Sequence, residues 1–97
     1  MTEEEEEIIL ERVYTIPLRK AWVKPRVKRA KGAVQIVKKF LLRHMKTEEV
    51  RATEVKIDPS LNELIWARGA KKPPRRVRVR AVMDRDGVVK AYPAEES

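Results

Sequence analysis

Residues 58–80 read DPSLNELIWARGAKKPPRRVRVR, and the way this stretch folds decides where the rest of the chain must go. The Asp58 carboxylate can accept from the free amides of a first helical turn, and Pro59 suits the first helical position because it has no amide to satisfy there. A helix is expected to start at this point. Leu61, Leu64, Ile65 and Arg68 recur at three- and four-residue spacing, Glu63 lies near the positive end, and Gly69 offers the left-handed residue that closes a helix. The elbow Lys71-Lys72-Pro73-Pro74 cannot be helical. Beyond it Arg76, Arg78 and Arg80 alternate with Val77, Val79 and Ala81, the two-residue period of a half-buried strand. One face of that strand is expected to carry three guanidinium groups, turned away from the core side of Val77 and Val79 and without acidic partners.

Side chains at alternate positions of a strand lie roughly 7 Å apart, comparable to the spacing of successive phosphates along a nucleic-acid strand. A row of arginines can therefore engage neighbouring phosphates together. The plainer reading is a solvated face that keeps an edge strand soluble. Such faces usually mix lysine with glutamate, whereas this one uses only arginine, whose planar fork suits phosphate.

Ninety-seven residues make one small domain with a single modest core and little room for a large internal cleft. The net charge is +8, but seven of the fifteen acids sit at the two ends. Between Ile8 and Ala94 there are 23 basic and 8 acidic residues, a balance of +15. That field implies a polyanionic partner, while 42% hydrophobic residues mark a globular chain rather than a disordered basic tail. No apolar run approaches membrane-spanning length, and a glutamate-rich N-terminus is the opposite of a secretory or transit signal, so no membrane insertion and a cytoplasmic location are expected. The absence of cysteine removes disulfides and thiolate zinc sites.

In chain order, 1–7 is expected to be a disordered acidic tail, 8–92 a single domain, and 93–97 a frayed tail. Ile8 to Leu18 reads as a strand ended by Pro17, with Ile8, Leu10, Tyr14 and Ile16 on one parity and Ile9 and Val13 on the other, so that both faces would be partly buried. Arg19 to Val23 is expected to form a helical turn halted before Pro25. A long helix follows over Arg26 to Lys46. On a helical wheel, Val27, Ala30, Ala33, Val34, Val37, Leu41 and Met45 share one arc, with Ile36 and Phe40 beside it. Lys28, Gly32, Gln35, Lys39, Arg43 and Lys46 fall opposite, a basic ridge on which Gly32 would allow close approach of a phosphate backbone. An ordinary solvated helix face would carry matching glutamates, and there is no acid between Arg12 and Thr47. His44, at the edge of the apolar arc, reads as a packed or hydrogen-bonded residue rather than a ligand or base.

Val50 to Ile57 reads as a strand leading into the Asp58 cap, and Asp84-Arg85-Asp86-Gly87 as the tight reversal of a hairpin over Val77 to Tyr92. The fold class is α+β: a small single domain whose mixed sheet (strand, helix, strand, short helix, strand, strand) is covered by one long amphipathic helix.

At VKIDPSLNELIWARG followed by PPRRVRVR the chain resembles a large-subunit ribosomal protein family of archaea and eukaryotes, the one numbered thirty-one with suffix e. Val55, Ile57, Asp58, Leu61, Asn62, Trp66, Gly69, Pro74, Arg76, Arg78, Val79 and Arg80 carry the resemblance. Tyr14, Thr15, Ile16, Lys28, Arg29, Ala30, Ala33 and Phe40 support it upstream, and it spans roughly Ile9 to Tyr92. It implies a small α/β fold, binding to large-subunit ribosomal RNA on the solvent side near the nascent-peptide exit, neighbouring ribosomal proteins and nascent-chain factors as partners, and no catalysis. Gly32, Trp22, the glutamate tail and the brief Asp86-Gly87 turn stand outside it.

With one histidine and no cysteine the usual nucleophile-and-base arrangements cannot be built, and three glycines make no phosphate loop. Asp84 and Asp86 match a calcium loop only by chance, since Val88 and Val89 stand where a ligand and the turn glycine belong. No catalytic residue, metal site or cofactor is expected. Trp66 either completes the core or offers an exposed ring to a base; the core is the expected place. The candidate RNA-binding residues are Arg76, Arg78 and Arg80, then Arg75, Lys71, Lys72 and Arg68 beside them, and Lys28, Arg29, Lys39, Arg43 and Lys46 from the long helix. The leading expectation is a structural RNA-binding protein of the large ribosomal subunit. A free-standing basic nucleic-acid-binding regulator is the alternative, and a small nucleic-acid enzyme a distant third.

Overall fold

The computed structural model describes residues 8–94; the acidic block at 1–7 and the segment 95–97 lie outside the described residues. The elements follow in the expected order: β1 (Ile8–Pro17), α1 (Arg29–His44), β2 (Glu54–Ile57), α2 (Pro59–Trp66), β3 (Arg76–Asp84) and β4 (Val88–Pro93). Across the sheet the order is β1-β3-β4-β2, with β3 antiparallel to both neighbours and β2 parallel to β4. Ala30, Ala33, Val37 and Leu41 of α1 and Leu61 and Ile65 of α2 join Ile16, Val77, Val79, Ala81, Met83, Val89 and Ala91 in one buried cluster. Both helices therefore cover the same face of the sheet, and among the described residues the other face is left open.

Local chemistry sets the element ends. Asp58 accepts from the Ser60 amide at 3.0 Å and from the Ser60 hydroxyl, and Pro59 takes the first helical position. Gly69, at φ +90°, stops the chain behind α2, its amide donating to the Trp66 carbonyl at 2.8 Å. At the hairpin the buried Asp84 carboxylate accepts from the amides of Asp86 (2.9 Å) and Val88 (3.1 Å), while Gly87 takes φ +84°. These bonds satisfy the charge and close the reversal.

Several boundaries move. α1 begins at Arg29 rather than Arg26, because Pro25 is extended and Arg26–Lys28 forms a 3-10 turn. It ends at His44: Met45 turns extended and drives its side chain into the core, so Lys46 lies past the helix, bridged to Arg51. β2 starts four residues later than expected, since the Thr47 hydroxyl accepts from the amides of Glu49 (3.2 Å) and Val50 (3.0 Å) and folds 47–50 into a turn. A register shift between Ile8 and Leu10 puts both Ile9 and Leu10 against the core. Pairing also extends past Tyr92, for Pro93 faces Val79 and the Ala94 amide donates to the Arg78 carbonyl at 3.0 Å.

Several residues sit elsewhere than expected. Val13 is 49% exposed because no described element covers its face of the sheet. Trp66 is 38% exposed rather than core, since Leu61 and Ile65 take the inner side of α2 and the next residue points about 100° away. Gly32 is buried: the aliphatic stem of Lys24 lies over it, and a Cβ there would meet Lys24 Cδ at 2.7 Å, so a phosphate would have to displace Lys24 to reach it. His44 is exposed rather than buried, its ring stacked 4.0 Å from Phe40 and its Nδ1 2.9 Å from the Phe40 carbonyl.

Candidate nucleic-acid interface

The two-residue period of β3 places Val77 and Val79 inward and leaves Arg76 and Arg78 exposed and Arg80 half-buried on the open face of the sheet. The register sets Pro17, Thr15 and Val13 of β1 beside these three arginines, so the row is flanked by small, neutral, exposed residues. Toward the other edge Tyr92 stands beside Arg80, and Lys90 and Lys56 continue the same face. Arg80 differs from the other two. Its Nη1 pairs with Glu11 Oε2 at 3.2 Å and its guanidinium lies 4.9 Å from the Tyr92 ring centre, which corrects the expectation of a row without acidic partners. Both partners of that ion pair are substantially exposed, so it contributes at most about 1 kcal/mol and a phosphate could replace it.

At one end of the row three distant segments meet. The Leu18 amide donates to the Arg75 carbonyl at 2.7 Å, and the Ala30 amide to the Ala70 carbonyl at 2.9 Å. These bonds fasten the turn after β1, the start of α1 and the elbow before β3 to one another. Residues 18–30 carry six basic side chains and residues 67–76 five, with no acid in either segment. Of the candidates, Lys28, Arg29, Arg68, Lys71, Lys72, Arg75 and Arg76 fall in these two segments, forming a basic pole. Trp22 lies at its centre, with the Arg29 and Arg75 guanidinium carbons 4.9 Å and 4.5 Å from its ring centroid.

Lys39, Arg43 and Lys46 are exposed but do not join this surface. Lys39 and Arg43 occupy the solvent side of α1, across the sheet from the arginine row. Arg43 and Lys46 line a shallow hollow with Leu42 and Arg51 beyond the end of the helix. The expected two basic surfaces thus face opposite sides of the molecule and approach each other only at the pole.

The family model of Ribosomal protein L31e matches residues 9–86. The chain belongs to this family. Among curated proteins it is 51% identical over 87 residues to the large ribosomal subunit protein eL31 of Methanoregula boonei, covering 90% of this chain and 93% of that one. It is 54% identical over 82 residues to the eL31 of Methanothermobacter thermautotrophicus, covering 84% and 95%, and 52% identical over 89 residues to that of Methanopyrus kandleri, covering 92% and 98%. Every candidate residue of this L31e chain lies inside the matched span. Trp22 and Tyr92 were not expected as parts of the interface: Trp22 holds two arginines and Tyr92 one, all contributed by other segments, and neither aromatic has a local sequence pattern that announces this. The signal that could have pointed to Trp22 is an aromatic residue inside an acid-free basic run.

Proposed function

We propose that this chain is a structural, non-catalytic constituent of the large ribosomal subunit that binds large-subunit ribosomal RNA through backbone phosphates, with neighbouring ribosomal proteins as further contacts. The observation that carries this reading is the uncovered sheet face: Arg76 and Arg78 stand exposed with no carboxylate paired to them among the described residues, and they run into an acid-free pole. The family assignment and the names of the relatives support it. Position near the nascent-peptide exit in cytoplasmic ribosomes, where nascent-chain factors would meet the protein, belongs to the same proposal and rests on the family resemblance.

The test is the triple variant Arg76→Ala, Arg78→Ala, Arg80→Ala binding to a protein-free large-subunit RNA transcript over a salt series. Each arginine that neutralises a phosphate should, on removal, reduce the slope of log affinity against log salt by about 0.7–0.9. Because Arg80 already has partners in the free protein, the expected total corresponds to about two phosphates, with little change in melting temperature. An unaltered slope would remove the arginine row from the interface. In cell extracts the parent should stay with the large subunit through a high-salt wash, whereas release into the soluble fraction would favour the free-standing regulator.

A further inference from the structure

Trp22 gathers two cations that no carboxylate among the described residues neutralises. Arg29 opens α1 and Arg75 precedes β3, yet both guanidiniums lie against one indole, at 4.9 Å and 4.5 Å from its centroid. Among the described residues no carboxylate pairs with either. Arg29 donates its Nε to the Lys24 carbonyl at 3.2 Å, leaving its terminal nitrogens for other acceptors. The Trp22 Nε1 donor is itself buried without a hydrogen-bond partner. Cation–π attraction holds each guanidinium only weakly at an exposed site, and the two charges repel one another. Among the described residues the cluster is therefore rich in donors and lacks a negatively charged acceptor.

The frame beneath it is fixed, since backbone bonds tie Leu18 to Arg75 and Ala30 to Ala70. Resting on the RNA-binding reading above, we propose that Arg29 and Arg75 form a preorganised site for an RNA backbone phosphate, with Trp22 as the positioning residue that holds their two planar forks. A guanidinium ordered before binding loses less side-chain freedom when phosphate arrives. Arg75 is exposed and is followed by the exposed Arg76 and Arg78, which suits a chain of phosphates better than a single small anion.

Trp22→Leu changes no charge and supplies the test. With a protein-free large-subunit RNA transcript and excess transfer RNA as competitor, Arg29→Gln and Arg75→Gln should each weaken binding about tenfold, as for removal of a charge-assisted hydrogen bond, and lower the salt slope by about 0.7–0.9. Trp22→Leu should weaken binding about threefold with the slope unchanged, the size expected for losing a cation–π hold. Trp22→Phe should recover most of that loss. In the Arg29→Gln, Arg75→Gln background Trp22→Leu should have no further effect. An equal loss there, or Trp22→Phe as poor as Trp22→Leu, overturns the positioning role. Trp22 is half-buried, so a second measurement guards against misfolding: in the Trp66→Phe protein, saturating RNA should shift Trp22 emission, and the two glutamine substitutions should abolish the shift. No shift, or a shift with inorganic phosphate but none with RNA, overturns the RNA-phosphate site. If the parent itself fails to prefer the transcript over transfer RNA, the RNA-binding reading falls as well, which is distinguishable from loss of this site alone.

Discussion

Asp58 decides where a helix begins, and its titration makes that decision measurable. The Ser60 hydroxyl, and then the Ser60 amide, hold its carboxyl below the ordinary carboxylate range. A carboxyl depressed in the folded state contributes stability that is fully present above its unfolded pKa and is lost as pH falls through the lower folded value. Asp58→Asn keeps a good cap but removes this titration. Melting temperature against pH should fall more steeply on the acid side for the parent than for Asp58→Asn, and parallel curves would refute the account. The two left-handed glycines allow a sharper comparison. Gly69 has open space where a Cβ would stand, so Gly69→Ala carries only the backbone cost of about 1 kcal/mol. At Gly87 the same Cβ would sit 2.6 Å from the Arg51 carbonyl oxygen, adding a steric conflict of about 1–3 kcal/mol. Urea unfolding should rank Gly87→Ala clearly below Gly69→Ala. Both turns were legible as Gly positions, but their unequal tolerance was not, because it depends on Arg51, which sequence places in a different element.

Periodicity identified α1, α2, β1 and β3, since a helical wheel and a two-residue alternation report directly on which side chains seek the core, while β2 and β4 were placed by the Asp58 cap and the Asp84–Gly87 turn. It failed where something outside the element decides. The wheel put Val27, Val37 and Leu41 on one arc, yet Val27 is 64% exposed while Val37 and Leu41 are fully buried, because Pro25 delays the helix and the 3-10 turn carries Val27 off the stripe. Val37→Ala and Leu41→Ala should therefore cost about 2–4 kcal/mol, through reduced burial and the cavity left behind, whereas Val27→Ala should stay within about 0.5 kcal/mol. Equal losses in chemical denaturation would mean that Val27 is packed after all. The same limit explains Val13, Trp66 and Gly32: a strand parity or helix arc shows which residues share a side, and only the assembled layers show whether that side is covered by α1, by Lys24 or by solvent.

Charge pattern showed that acids are excluded from long stretches of the chain, but not that the resulting basic surfaces look in opposite directions. Arg76 and Arg78 lie on the open face of the sheet, and Lys39 and Arg43 on the far side of the helix layer. A flat segment of RNA cannot touch both. If both contribute, the RNA must fold around the protein or present two segments to it, and the two surfaces are then distant enough to act independently. Independent sites have additive effects, within about 0.5 kcal/mol. Joining Arg76→Ala, Arg78→Ala and Arg80→Ala to Lys39→Gln and Arg43→Gln should accordingly lower affinity for the large-subunit transcript by the sum of the two separate losses, with melting temperatures preserved. Lys39→Glu with Arg43→Glu should go further and impair incorporation into large subunits on gradients, since each added carboxylate would face phosphate. Should that pair incorporate as well as the parent while the arginine variant does not, the basic side of α1 is a solvated helix face. The RNA is then held from the sheet side and the pole alone.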